Sequence, residues 1–409
     1  MSKVWRGYLA FALAACFFGH EFVQRVSTSI LVSELMAEFS VGGAVLGSLS
    51  AFYFYAYAGM QIPVGVLMDR FGPRRLMSVA AAVSAAGALI FATAQAIEFA
   101  YLGRAMIGLG ASFSWIGALT VATLWLPTAR FAMLTGLLQA GGMAGGVLGQ
   151  APLALLAAAL GWRLSLGALA LVGASLALAL YLAVPDVAKA RVPKVRPRLT
   201  EGLRIAAANL QTWLNMLFGL AMTGTMLAFA GLWAVPWLES VQGYSRATAA
   251  SLASAMFLGW GIGAPLIGVL ADRLARRKAI MVVCGGAMSA TLLVLLYVPG
   301  LATAMLAALL FANGAFASSM ILSYGAARDH NPPDASGAVY GIVNTGVVGS
   351  GALFQPAIGA LLDLNWRGTL LDGARLYDAD AYQAAFAVLP AIALLGTLAA
   401  AMAAEGKRG

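Results

Sequence analysis

The sequence has few charged residues for its length and almost no cysteine. Only 10% of its 409 residues are charged and 61% are apolar, whereas soluble globular chains average about 25% charged and about 45–50% apolar residues. A soluble fold could not bury so large an apolar fraction, which excludes an ordinary soluble domain. Cys16 and Cys284 lie far apart in apolar segments without CxxC spacing. This excludes a disulfide scaffold and a metal site, and we expect both cysteines to be core residues.

Signatures of enzymes are also absent from the sequence. No GxxxxGK[ST] loop occurs, so we do not expect the chain to hydrolyse ATP. The chain has two histidines, and neither forms a Ser-His-Asp spacing or a cluster of metal ligands. We therefore expect no catalytic residues, no bound metal and no cofactor.

Long apolar runs recur from end to end, and each is long enough to cross a hydrocarbon core of about 30 Å. We predict spans at 7–32, 43–68, 75–95, 99–125, 131–159, 164–184, 211–238, 247–271, 279–298, 301–326, 336–362 and 383–403. The chain is thus predicted to be an all-α membrane protein of twelve helices. Two six-helix bundles, 1–184 and 211–409, are expected to flank a basic cytoplasmic linker at 185–210 that has little apolar periodicity.

The formal charge of +9 is unevenly distributed among the predicted connections. Most of the 25 Lys and Arg residues fall at the two termini, in the linker and in the even-numbered connections. Cytoplasmic loops of membrane proteins are enriched in this way, so we expect both termini to be cytoplasmic. The basic balance therefore reflects topology, and we do not expect nucleic acid as a partner.

An internal repeat divides the chain into halves. The segment GVLMDRFGPRR at 65–75 recurs as GVLADRLARRK at 268–278, and each copy closes the second span of its half. Both copies resemble the signature loop of the major facilitator superfamily, although Ala275 replaces an expected glycine. The resemblance implies a twelve-helix transporter that works by alternating access. It also implies a conformational latch, which comprises Gly65, Asp69, Arg70, Arg74, Asp272 and Arg273.

The glycines and acidic residues of this loop have a physical interpretation. Gly65 and Gly268 would allow neighbouring helices to approach closely. Asp69 and Asp272 could contact helix N-termini or basic side chains from adjacent spans. Alternatively, the basic residues of the loop only anchor its topology.

Two further segments resemble motifs of the same superfamily. Arg104, in the sequence GRAMIGLG of the fourth span, resembles an arginine that the family often uses in proton coupling. A structural hydrogen bond between helices is the alternative role. The glycine-rich run 141–146 resembles an antiporter motif, but Gly142 stands where that motif has proline. Close helix packing also explains these glycines.

The strongest site signal lies in the middle of the first span. His20, Glu21 and Arg25 are ionisable groups placed where each charge costs about 2.5–3.5 kcal/mol, so such groups normally mark a solute or proton path. Glu21 and Arg25 are one helical turn apart and can pair. A proton on Glu21 would then free Arg25 to bind a carboxylate. A permanent structural ion pair is the alternative.

An arginine at this place also resembles the major facilitator subfamilies that carry organic anions, among them bacterial proton symporters of metabolites. Other residues that could line a substrate pocket are aromatic or polar side chains inside the spans. With Arg25, we predict that the substrate-binding residues are Tyr53, Trp115, Trp233, Asn313 and Asn344. For any single aromatic residue, core packing is the alternative role.

These observations predict a secondary active transporter for proton-coupled uptake of a small organic acid, sugar acid or amino acid. The proton gradient would supply the energy, through Glu21, Arg104 and His20. We expect a monomer in a bacterial cytoplasmic membrane, with an anionic or zwitterionic substrate. One alternative is a proton-driven exporter of drugs or siderophore-like metabolites, and a second is a membrane sensor or scaffold that has lost transport.

Overall fold

The computed structural model describes residues 3–127, 130–185 and 199–405. The helices form two compact units. The first comprises Met1–Val41 and Ser48–Pro193, and the second comprises Gly42–Gly47 and Lys194–Gly409. Most of the predicted basic linker, including Lys189, Arg191, Lys194, Arg196 and Arg198, lies outside the described residues.

Helices in the first unit begin and end at glycine and proline signals. Helix α3 ends before Gly72, and Pro73 occupies the first turn of α4, where its missing N–H costs nothing. Gly161 separates α7 from α8 in the same way, with a φ of +80°. The helices are α1 (Lys3–Val26), α2 (Val32–Phe39), α3 (Gly43–Phe71), α4 (Pro73–Thr93), α5 (Ile97–Trp125), α6 (Phe131–Leu148), α7 (Ala151–Leu160) and α8 (Trp162–Ala183). The first turn of α3, up to Gly47, belongs to the second unit.

The second unit has the same plan, with additional short elements. A two-stranded antiparallel hairpin joins α16 to α17 through Asp372 and Gly373, which both have positive φ, as a tight hairpin turn requires. Its elements are α9 (Leu199–Ala208), α10 (Leu210–Ala228), α11 (Ala234–Ser240), α12 (Arg246–Leu274), α13 (Arg277–Tyr297), α14 (Thr303–Ala317), α15 (Ile321–Asp329), α16 (Ser336–Leu364), β1 (Leu370–Leu371), β2 (Ala374–Arg375), α17 (Ala379–Phe386) and α18 (Val388–Met402).

The prediction of an all-helical membrane protein is confirmed. In the described residues, eleven helices are long and apolar enough to cross a membrane, or twelve if the bent pair Val32–Phe39 and Gly43–Gln61 forms one span. Their burial differs widely: 28% of the most apolar stretch of Trp162–Ala183 is buried, against 94% of that of Leu210–Ser240. Helix α8 therefore faces lipid, whereas α10 and α11 form the core of the second unit.

Several predicted spans are interrupted within the membrane. The fifth span is broken at Gly149–Gln150, because Pro152 can only be accommodated in the first turn of a new helix. The seventh contains a π-helical turn at Phe229–Trp233. Periodicity cannot reveal such breaks, since the apolar pattern continues across them.

Residues 199–208 of the expected linker form α9, which packs Ala206 into a core with Ala338 and Val339. The linker itself stays a prediction. One prediction about an individual residue was wrong. Cys284 is buried as predicted, but Cys16 is exposed.

Candidate functional site

The first span changes its helical geometry directly after the predicted site residues. Helix α1 ends at Val26, and residues Ser27–Ile30 form a buried 3₁₀ turn. The Ser27 hydroxyl donates to the carbonyl oxygen of Gln24 over 2.9 Å, and the Ser29 hydroxyl donates to that of Val26 over 2.8 Å. Serine bonds of this kind bend helices. The last carbonyl groups of α1 are thereby turned toward other partners.

Arg104 of α5 binds these carbonyl groups. Its side chain is fully buried, and its guanidinium donates to the carbonyl oxygens of Gln24 (2.7 Å), Arg25 (3.4 Å) and Ser50 (3.4 Å). A cation at a helix C-terminus is also favoured by the helix dipole. Arg104 therefore joins α1, α3 and α5 through hydrogen bonds between helices, which is the structural role predicted as its alternative. Its role in proton coupling stays a prediction.

Arg25 lies in a group of aromatic rings. Its Nε donates to the hydroxyl of Tyr53 over 3.2 Å. Its guanidinium carbon lies 4.2 Å from the ring centre of Phe22, 5.2 Å from that of Tyr57 and 5.3 Å from that of Tyr53. Cation–π contacts stabilise the charge but do not neutralise it. In the described part of the chain, no carboxylate lies within ion-pair distance of Arg25.

Glu21 points to a different helix. Its Oε2 accepts a hydrogen bond from the Ser84 hydroxyl of α4 over 2.9 Å, and the described residues contain no ion pair between Glu21 and Arg25. The predicted pairing was therefore wrong. Spacing of one turn places the two Cβ atoms near each other, but Arg25 extends to the phenol of α3 while Glu21 extends to the hydroxyl of α4.

Glycines determine how closely the helices approach this site. A Cβ atom added at Gly108 of α5 would lie 2.0 Å from the Tyr53 carbonyl oxygen. One added at Gly145 of α6 would lie 2.0 Å from the Gly19 carbonyl oxygen of α1. Only glycine permits such contacts. The glycine-rich run of the fifth span therefore acts in close helix packing.

The remaining residues predicted to bind substrate are distributed over both units. In the first unit, Tyr53 joins the Arg25 group, whereas the ring contact of Trp115 is with Phe18, 5.1 Å away between ring centres. In the second unit, Trp233 is fully buried in the π-helical turn, and its indole N–H donates to the Gln355 carbonyl oxygen over 3.0 Å.

The two asparagines of the second unit make contacts with neighbouring helices. Asn313 is buried, and its amide donates to the Met288 carbonyl oxygen and the Thr291 hydroxyl. Asn344 accepts a hydrogen bond from Tyr324 over 2.7 Å. Their contribution to substrate binding stays a prediction.

In the first copy of the signature loop, only some of the predicted residues contact other helices. A Cβ atom at Gly65 or at Gly268 would meet no atom of the described residues within 4 Å, so the prediction that these glycines allow close helix approach was wrong. Arg70 is exposed and lies over Phe71. Arg74 donates to the Tyr181 carbonyl oxygen over 2.8 Å. The side chain of Asp69 lies outside the part that the structure describes, and its latch role stays a prediction.

The second copy forms its turn with a strained alanine. Ala275 ends α12 in the left-handed region with a φ of +50°. The Asp272 side chain is 79% exposed and approaches Arg277 only to 4.0 Å, and Arg273 is exposed. Arg277 of this copy does contact another helix, because it forms an ion pair with Asp329 of α15. Local sequence patterns do not reveal this pair, because its members are 52 positions apart.

A cluster in the second unit was also missed. The carboxylate of Asp363, near the end of α16, accepts hydrogen bonds from the backbone N–H groups of Gly43 and Ala44, each over 2.9 Å. Tyr377 donates to it over 2.6 Å and Arg375 over 3.0 Å. Burial and the adjoining carboxylate raise the pKa of the Tyr377 hydroxyl, so it stays protonated and donates. Asp363 thus caps the first turn of α3.

The chain resembles known proteins in sequence. The family model "Major Facilitator Superfamily" matches residues 11–354 and 216–407. The probable sulfoacetate transporter SauU of Cupriavidus necator is 24% identical over 281 residues, 65% of each chain. The probable galactarate/D-glucarate transporter GudP of Pseudomonas putida is 27% identical over 113 residues, 26% of this chain and 25% of the relative. The uncharacterized transporter YybO of Bacillus subtilis is 27% identical over 144 residues, 35% of this chain and 33% of the relative. The matched regions thus span less than two thirds of these relatives.

Two solved structures share the fold. A bacterial homologue of the human lysosomal transporter Spinster is 18% identical with a TM-score of 0.76, and the match covers 98% of this chain and 96% of that one. The nucleoside transporter NupG is 13% identical with a TM-score of 0.77, and the match covers 96% and 99%. The family model spans most of the chain, and the fold of these two structures agrees with it. The chain therefore belongs to the major facilitator superfamily of transporters.

Proposed function

We propose that the chain carries out proton-coupled uptake of a small organic anion by alternating access. In this proposal, Arg25 binds a carboxylate or sulfonate of the substrate and Glu21 carries the proton. The transporter would work as a monomer in a bacterial cytoplasmic membrane, with both termini in the cytoplasm.

The arrangement around Arg25 is the observation that carries the proposal. A guanidinium at mid-membrane is costly when no opposite charge is close. Tyr53, Tyr57 and Phe22 supply ring faces and a hydroxyl but no negative charge. An anionic substrate would supply that charge, and a guanidinium can bind a carboxylate through two parallel hydrogen bonds.

The relatives support an organic acid over other anions, since they include transporters named for sulfoacetate and for galactarate or D-glucarate. A second feature supports the coupling. Ser84 rather than Arg25 holds Glu21, so in this proposal the proton and the anion occupy separate neighbouring groups.

Ligand-induced stabilisation of the purified protein tests this proposal. A panel of organic acids, sugar acids, amino acids and cationic drugs is tested against wild type and Arg25→Ala, since a ligand that binds the folded state raises its apparent stability. We expect an organic acid to raise the melting temperature of wild type but not of Arg25→Ala. Arg25→Lys should retain less than a tenth of the affinity, because it keeps the charge but loses the planar fork.

Arg130→Ala is the matched control. Arg130 is exposed in the same unit and donates to the Tyr8 hydroxyl, so this variant removes an equal charge away from the site and should respond like wild type. A cationic ligand that still stabilises Arg25→Ala would contradict the proposal and favour the exporter.

A further inference from the structure

Three buried polar side chains share one stripe of helix α1. Gln24 follows His20 by four residues and Glu21 by three, so all three side chains lie on neighbouring positions of one helix face. They are almost completely buried, with exposed fractions of 6% for His20, 1% for Glu21 and 0% for Gln24. This His20–Glu21–Gln24 stripe is distinct from Arg25, whose side chain extends to the aromatic rings of α3.

The stripe has hydrogen-bonding capacity that the protein does not use. Within the described residues, His20 Nε2, Glu21 Oε1 and both amide atoms of Gln24 have no protein partner. Leaving a buried polar group unpaired costs about 1–3 kcal/mol, and buried polar groups in folded proteins almost always have a partner. Four such atoms on one stripe therefore point to a bound polar ligand.

Neighbouring helices supply one further polar group and a close contact. Ser84 of α4 donates to the other oxygen of Glu21 over 2.9 Å. Gly173 of α8 lies directly against the histidine: a Cβ atom added there would be 3.1 Å from His20 Nε2 and 3.2 Å from the Ala85 Cβ. His20 and Glu21 thus face α4 and α8, and a side chain larger than glycine at position 173 would press on the imidazole.

The unpartnered atoms select the chemistry of the ligand. The Gln24 amide contains both a donor and an acceptor, and the Glu21 oxygen accepts or, when protonated, donates. A metal ion would satisfy only the acceptors and would be repelled by the amide donor. Water satisfies both kinds of group, and buried waters typically make about three such bonds.

We propose that the His20–Glu21–Gln24 stripe holds an internal water cluster that conducts protons to Glu21. This inference rests on the proposed function in that Glu21 is the proton carrier. In each transfer, an O–H bond forms at Glu21 Oε1 and one breaks in the adjoining water. That water regains a proton from the next water, and the water farthest from Glu21 takes up a proton from the aqueous phase, so the cluster itself is unchanged. Gln24 is a positioning residue that holds these waters.

Infrared spectroscopy of the purified full-length protein measures access to Glu21 directly. A protonated carboxyl group gives a C=O band that shifts when its proton exchanges for deuterium, and the band that disappears in Glu21→Gln belongs to this residue. We expect wild type to show the Glu21 band at some pH. At that pH, the Glu21 carboxyl proton should exchange for deuterium within the mixing time after transfer to D₂O. Absence of a Glu21 band at every pH would overturn the proposal.

Two variants change the cluster in different ways. Gln24→Met keeps the size of the side chain but removes its amide, and Gly173→Ala places a methyl group 3.1 Å from His20 Nε2 without removing a polar group. We expect each to slow exchange of the Glu21 carboxyl proton at least tenfold. Gly167→Ala is the matched control on α8, because a Cβ atom there meets nothing within 4 Å, and it should exchange like wild type.

Thermal stability distinguishes a hydrated stripe from a dry one. If the stripe is dry, Gln24→Met removes an unpaired amide and should raise the melting temperature. If water is bound, the same change removes the amide that binds it and should lower the melting temperature. A higher melting temperature together with exchange as fast as wild type would overturn the proposal. Because these measurements need no substrate, they are independent of whether Arg25 binds an anion.

Discussion

At the scale of single residues, the site depends on glycine as much as on charge. Gly108 allows α5 to lie against the backbone of Tyr53, and Tyr53 in turn holds Arg25. Arg104, four residues before Gly108, binds the carbonyl oxygens at the end of α1. The position of the Arg25 guanidinium therefore depends on contacts made by backbone atoms of three helices.

Gly108→Ala should disrupt this arrangement. A methyl group 2.0 Å from the Tyr53 carbonyl oxygen must push α5 away from α3, and overpacking of this kind costs about 1–3 kcal/mol. We expect a lower melting temperature and loss of the stabilisation by organic acids. Gly136→Ala is the control, since a Cβ atom there meets nothing within 4 Å. Equal stability of the two variants would show that α5 does not pack this closely against the Tyr53 backbone of α3.

At the scale of elements, the two copies of the signature loop solve the same turn with different residues. Gly72 precedes α4 with a φ of +78° and a ψ of 158°, a region that essentially only glycine occupies. Ala275 ends α12 with a φ of +50° and a ψ of 35°, where an L-residue loses about 1–2 kcal/mol. The second copy therefore carries strain that the first copy lacks.

Ala275→Gly should stabilise the protein and Gly72→Ala should destabilise it. Glycine at 275 removes the strain, and we expect a gain of about 1 kcal/mol in the free energy of unfolding. Alanine at 72 introduces a larger strain, so this variant should lose stability. Thermal or denaturant unfolding in detergent measures both, with Gly268→Ala as control because that helical position is open. A stability loss in Ala275→Gly would contradict the left-handed turn.

The cap of α3 gives a second prediction for an element. Asp363→Asn keeps the shape of the side chain but removes the charge that two backbone N–H groups, Tyr377 and Arg375 share. A hydrogen bond to a charged group contributes about 1.5–3 kcal/mol in net terms and one between neutral groups about 0.5–1.5 kcal/mol. Asparagine keeps part of this bonding as a neutral group, so we expect a loss of about 2 kcal/mol. The measurement is the unfolding free energy.

Asp380→Asn provides the comparison. Asp380 lies shortly after the same hairpin and pairs with Arg367, but both side chains are more than two-thirds exposed, at 69% and 67%. Such surface pairs contribute little. If the two substitutions cost the same, the Asp363 cluster would be no more than another surface ion pair.

At the scale of the whole molecule, the sequence predicts the architecture well and the site only in part. Apolar runs and basic loops depend on local composition, which is why the spans agree with the helices to within a few residues. The pairing of Glu21 with Arg25 depends instead on which neighbouring helices offer a hydroxyl or a ring. Gln24 gave no signal because a neutral amide in a membrane span does not stand out from composition alone.

Proton-driven accumulation is the property that tests the molecule as a whole. In reconstituted vesicles with an imposed proton gradient, Glu21→Gln should abolish accumulation of the organic acid, because the substitution removes the group proposed to carry the proton. Exchange of labelled for unlabelled substrate needs no net proton movement and should persist as long as Arg25 is intact. Arg25→Ala should lose both activities, since it lacks the anion site. Full accumulation by Glu21→Gln would show that a group other than Glu21 carries the proton, and would leave only the role of Arg25 as the anion site.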